Sequence, residues 1–96
     1  MKPSDAIRLH RKDIYHVVEL HRAKNPRVFG STLQGKDNEK SDLDLLIDPL
    51  PGATLFDLGA IQMELEEVLG ISVDILTPGD LPLKFRHKVL KEATQI

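Results

Sequence analysis

The chain has no cysteine and no tryptophan. The first absence excludes a disulfide framework and a thiolate metal centre, and is compatible with a reducing cytoplasm, the expected location. Three phenylalanines and one tyrosine are too few for an extended platform on which nucleic-acid bases could stack. Neither sign of charge dominates: 13 basic against 15 acidic residues leave a net charge of −2. No global basic field therefore draws the protein to nucleic acid. The first residues, MKPSDAIRLHRKD, hold no apolar signal core, and no apolar run approaches the length of a membrane span. Internal repeats and low-complexity segments are absent too.

What is present is an ordinary globular balance, 41% hydrophobic and 29% charged over 96 residues. That length suits one domain, residues 1–96, with one core. Ser4 or Asp5 is placed to cap a first helix running to about Ala23, with Ile7, Ile14, Val17, Val18 and His21 at core-facing spacing. Asn25-Pro26 breaks it, because a residue before proline is pushed out of the helical region. Arg27-Val28-Phe29 then reads as a short strand, and Leu43 to Ile47 as a second. Thr54 caps a helix whose stripe is Leu55, Leu58, Ile61, Leu65, Val68 and Leu69, ended by Gly70 with Ile71 packing behind it. Ile71 to Leu76 alternates like a third strand. Asp80, with Pro82 in the first turn, predicts a last helix to about Thr94 that buries Phe85, Val89, Leu90 and Ala93. Helix–strand–helix–strand–helix gives the expected fold class: α/β (α+β), a small three-stranded mixed sheet flanked by helices.

The chemistry concentrates in Phe29 to Asp48, FGSTLQGKDNEKSDLDLLID. Gly30-Ser31 is a small, permissive pair at a strand end, where phosphate oxygens can approach backbone N–H groups. Asp42 and Asp44 lie two apart, so on a strand both point away from the face that Leu43, Leu45 and Ile47 share. Paired carboxylates repel unless a cation or proton relieves them, and hard oxygen ligands suit magnesium held jointly with substrate phosphates. Asp74, between Val73 and Ile75, would be a costly residue unless its face opens on a cleft. Asp48 shares the face of Asp44 but lies about 13 Å further along, out of reach of the same metal. His10, His16, His21 and His87 are scattered singly. Lys84, Arg86, His87, Lys88 and Lys91 give the last helix a basic, solvated side.

Gly30-Ser31, ten intervening residues, Asp42-Leu43-Asp44 and a later strand acid together resemble the signature of the DNA polymerase beta-like nucleotidyltransferase superfamily. Short length and the ending SDLDLLID resemble its minimal nucleotidyltransferase branch, whose best understood members are antitoxins paired with HEPN toxins. The likeness runs from about Asn25 to Ala93. It implies that Asp42, Asp44 and Asp74 are catalytic and hold two Mg²⁺ ions, and that Gly30, Ser31, Asp42 and Asp44 bind the nucleotide, most simply ATP. Relatives often carry two arginines in the Gly-Ser loop; this chain reads Gly30-Ser31-Thr32-Leu33-Gln34-Gly35, with Lys36 and Lys40 as the nearest cations. The implied reaction moves AMP from ATP onto a hydroxyl, a tyrosine of a HEPN ribonuclease partner, and releases pyrophosphate. Two alternatives stay open: a small-molecule or RNA-end acceptor, and an antitoxin that acts by binding alone.

Overall fold

Helix α1 spans Pro3–Leu20 and strand β1 Ala23–Val28 in the computed structural model, which describes all 96 residues. There follow β2 (Leu43–Pro49), α2 (Leu55–Leu69), β3 (Val73–Leu76), a 3₁₀ turn (Pro78–Asp80), α3 (Leu83–Glu92) and β4 (Thr94–Gln95). The sheet has four strands in the order β3-β2-β1-β4. Strand β2 runs parallel to β3 and antiparallel to β1, and β1 runs antiparallel to β4. The class is the expected α+β with a mixed sheet, but with one strand more than the sequence predicts. Two residues carry no readable period, and β4 forms only because Ala93 turns extended (φ −58°, ψ 134°) and brings Thr94 opposite Val28.

Alternation along β2 sets the two faces. Leu43, Leu45 and Ile47 are fully buried in one 13-residue cluster with Ile14 and Val18 of α1 and Ile61 and Leu65 of α2. Both long helices thus cover one side of the sheet, as the period-two and period-3.6 patterns require. Asp44, Leu46 and Asp48 take the other side, where Leu46 is buried outside that cluster. No helix is long and apolar enough to cross a membrane.

Several boundaries differ from the sequence reading, each for a tertiary reason. Helix α1 stops at Leu20, since Arg22 turns to φ 61° and Ala23 already pairs with Pro49. Its cap is neither Ser4 nor Asp5: Asp37, 33 residues on, accepts the Ser4 N–H at 2.8 Å. His21 lies outside the core and pairs with Glu64 of α2 at 2.9 Å. Strand β1 starts before Arg27 and contains the bulge at Asn25 (φ 54°) and Pro26, where its register with β2 shifts. Thr54 and Asp57 form the expected capping box, and Gly70 ends α2 in the left-handed conformation. Leu55 and Val68, expected on the buried stripe of α2, are exposed. Asp80 caps the 3₁₀ turn rather than α3, its carboxylate accepting Thr77 N–H and Oγ1–H at 3.0 Å each. Nothing in α3 is buried: Phe85 is 51% exposed and Leu90 37%.

Candidate active site

Parallel pairing of β2 with β3 puts Asp44 directly opposite Asp74. Residues so paired share a face of the sheet, so the two carboxylates stand side by side on the side away from α1 and α2. Neighbouring Val73 is buried, so Asp74 points outward and is exposed, while Asp44 is half-buried.

Electrostatics follow from that placement. Burial, then the negative charge of Asp74, then a shared hydrogen bond with Asp74, then the charge of Asp42, push the Asp44 carboxyl up to about 6. The field of Asp42 thus reaches the pair. Asp42 itself is exposed and precedes the first residue of β2, so no strand partner fixes it. No three acid or histidine side chains close into a ready-made metal cage. Asp44 and Asp74 come together; Asp42 stands beside them rather than at the same point, which is looser than the sequence reading expected.

Gly30 borders the pair. It sits at φ +73°, a region costly for any residue with a Cβ, and a Cβ built there would lie 3.1 Å from Asp44 Oδ2. Ser31 and the residues after it form turns, closed by Gln34 N–H to the Gly30 carbonyl (3.1 Å) and Lys36 N–H to the Ser31 carbonyl (2.9 Å). Gly35, also at positive φ, has no heavy atom within 4 Å of a hypothetical Cβ, so its need for glycine is conformational alone. Beyond it the loop is tied to the start of α1 by Asp37 and by Glu39, which accepts from the N-terminal ammonium at 2.6 Å. The Ser4 N–H holds Asp37 below the ordinary carboxylate range, more than offsetting slight burial.

Asp48, on the same face, has a different task. Burial pushes its carboxyl up, but Asn25 Nδ2–H (3.0 Å) and the Arg27 guanidinium (2.6 Å) outweigh that and hold it low. It locks the bulge of β1 to β2, in line with its exclusion from the metal site on distance. The arginine positions of relatives remain neutral here: Thr32 is partly buried, with an unpartnered hydroxyl, and Gln34 is exposed.

The sequence reading missed an apolar cleft of about 240 Å³ bordering Gly30, walled by Phe29, Phe85 and Val89. Phe85 and Val89 are four apart on a helix, a pattern that cannot be told from a core stripe by spacing alone.

The donor set fits a divalent cation in part. Asp44 and Asp74 offer adjacent hard oxygens whose mutual repulsion such an ion would relieve, while the missing cage leaves coordination positions for other ligands.

Residues 13–96 match the family model described as Polymerase beta, Nucleotidyltransferase. A protein of Methanocaldococcus jannaschii named "Putative protein adenylyltransferase MJ0435" is 34% identical over 86 residues, covering 90% of this chain and 92% of that one. Protein adenylyltransferase MntA of Thermococcus cleftensis is 32% identical, over 72% of this chain and 70% of its own length. A solved structure described as a "putative minimal nucleotidyltransferase" superposes with a TM-score of 0.86 at 36% identity, covering 97% of this chain and 95% of that one. A chain of a toxin–antitoxin crystal structure with AMP-PNP shares the fold at a TM-score of 0.72 and 17% identity, over 88% of this chain and 69% of that one. With the family model spanning the whole sheet and both acid-bearing strands, the chain belongs to the polymerase beta nucleotidyltransferase family, in its minimal form.

Proposed function

We propose that this nucleotidyltransferase is a magnesium-dependent protein adenylyltransferase, moving AMP from ATP to a tyrosine of a HEPN toxin and so acting as its antitoxin in the cytoplasm. The observation that supports this most is the in-register Asp44–Asp74 pair with Gly30 against it, an acid centre beside the turn that begins at Ser31. Adenylyltransferase names among the relatives support the transferred group, and the toxin–antitoxin fold neighbour supports the partner class.

In this reading the N–H groups after Gly30 and the Ser31 hydroxyl hold the β- and γ-phosphates. Asp42, Asp44 and Asp74 would hold Mg²⁺ together with the triphosphate, which supplies the ligands that the open carboxylate set lacks. Bound there, magnesium neutralises charge on the phosphates and lowers the barrier to in-line displacement. The acceptor oxygen forms its bond to the α-phosphorus as the bond to the bridging αβ oxygen breaks, and pyrophosphate leaves. Asp74, the more exposed acid, takes the hydroxyl proton and passes it to water. An adenylyl group on the toxin adds bulk and negative charge, enough to obstruct an RNA cleft.

The test is to incubate the chain with ATP, Mg²⁺ and the protein encoded beside its gene, then weigh that protein by intact mass spectrometry. The expected gain is one or more adenylate units, lost with Asp44→Asn. Neutralised toxicity without any mass change would instead mean inhibition by binding alone.

A further inference from the structure

Helix α3 is tied to the rest of the fold through Arg86 and through the residues that follow it, yet buries none of its side chains. Near its start, the Arg86 guanidinium donates to the Gly79 and Leu81 carbonyls at 3.1 and 2.9 Å. Past its end, β4 pairs with β1, and Tyr15 Oη donates to the Ile96 carbonyl at 3.1 Å. Beside the Arg86 tie Phe85, and one turn on Val89, line the 240 Å³ cleft together with Phe29 instead of packing shut. Apolar walls left open in so small a protein forfeit burial worth about 25 cal/mol per Å², so the gap is a standing cost unless something fills it.

Gly30 joins the cleft to the acid pair: it lines the cleft, and a Cβ built on it would lie 3.1 Å from Asp44 Oδ2. Whatever lies in the cleft is therefore contiguous with the acid pair. Its volume is below the roughly 300–1,000 Å³ that enclose a whole drug-sized ligand, so it suits part of one. Around the apolar walls, Gln34, Lys88 and Glu92 line the rim, offering an amide, an ammonium and a carboxylate. Flat apolar walls with a mixed donor and acceptor rim match a heterocyclic base and its sugar hydroxyls. They do not match a phosphate, which would meet Glu92.

We propose that the cleft between Gly30 and α3 takes the base and ribose of the donor nucleotide, with Phe85 as the ring against which the base packs. This rests on the nucleotidyltransfer reading above and assigns the part of the donor that the acid pair and the glycine turn leave unbound. Phe85 is accessible for that role, with 51% of its surface exposed. A base–aromatic contact of this kind changes affinity by roughly 5- to 150-fold.

The experiment compares wild type, Phe85→Ala and Val89→Phe, the last filling the cleft, by calorimetric titration with Mg²⁺ and either a non-hydrolysable ATP analogue or inorganic tripolyphosphate. The expected result is at least about fivefold weaker analogue binding in both variants, with tripolyphosphate affinity unchanged. Unaltered analogue affinity in both variants overturns the assignment, as does an equal loss for both ligands. So does a raised KM for the acceptor protein with nucleotide affinity intact, which would give the cleft to the acceptor. Wild type that binds neither ligand would instead defeat the nucleotidyltransfer reading itself, so the two failures are distinguishable.

Discussion

Asp44 faces Asp74 across two parallel strands, in register, and the half-buried member of the pair holds its proton up to about pH 6. The unliganded fold therefore carries an uncomfortable charge at neutral pH. Asp44 binds its proton more tightly folded than unfolded, where the carboxyl titrates near 3.8. Its contribution to stability is fully present below that value and is lost as pH rises through about 6. Thermal melts of the protein without nucleotide should show this as a fall in Tm between pH 4 and 6. Asp44→Asn should flatten the fall and stabilise the protein at pH 7 by on the order of 1 kcal/mol, a figure already discounted for solvent screening. An Asp44→Asn profile parallel to wild type would contradict this electrostatic picture.

Glycine at position 30 meets two demands and glycine at 35 only one. Gly30→Ala should lose roughly 1–2 kcal/mol of stability from its positive φ, and also weaken nucleotide binding, because the new methyl crowds Asp44 Oδ2 at 3.1 Å. Gly35→Ala should show a similar loss in denaturant melts while its nucleotide affinity stays near wild type, since nothing lies within 4 Å. Equal effects of both variants on affinity would mean that the contact at Gly30 is unimportant.

Asp48 is an acid of structure rather than chemistry. Asp48→Ala removes the acceptor of Asn25 and Arg27 and leaves a mostly buried guanidinium without its partner. We expect a loss of roughly 2–4 kcal/mol in urea melts, with turnover per folded molecule retained. Loss of turnover at temperatures where the variant is still folded would move Asp48 into the site.

The loop that leads through Asp42 into β2 leans on α1 through Asp37. Asp37→Ala should cost about 1 kcal/mol, as for loss of a helix cap, and speed hydrogen exchange at Ser4 and across residues 36–42. Unchanged exchange in both segments would show that the 2.8 Å contact does not tie them.

The acids were readable because their signals are local. Gly30-Ser31 and Asp42-Leu43-Asp44 are each contiguous, and the alternation in Val73-Asp74-Ile75 sets the side of Asp74 without a contact map. Their face followed from period two; their adjacency did not, since the β2–β3 register is a property of two strands. The same limit hid the rest. The Asp37–Ser4 cap spans 33 residues, and the Asn25 bulge is fixed by Asp48 from the next strand. In α3, Phe85 and Val89 follow the spacing of a buried stripe. They line a cleft instead of joining the core, while Arg86, Tyr15 and β4 tie the helix and its end to the rest of the fold.

The most direct test of the Asp44–Asp74 centre is the affinity of a non-hydrolysable ATP analogue, titrated with and without Mg²⁺ into wild type, Asp44→Asn and Asp48→Asn. Wild type should bind the analogue only with Mg²⁺, Asp44→Asn should bind at least about tenfold more weakly, which is 1.4 kcal/mol, and Asp48→Asn should match wild type. An Asp44→Asn protein with wild-type affinity and an unchanged rate of adenylyl transfer would contradict the account.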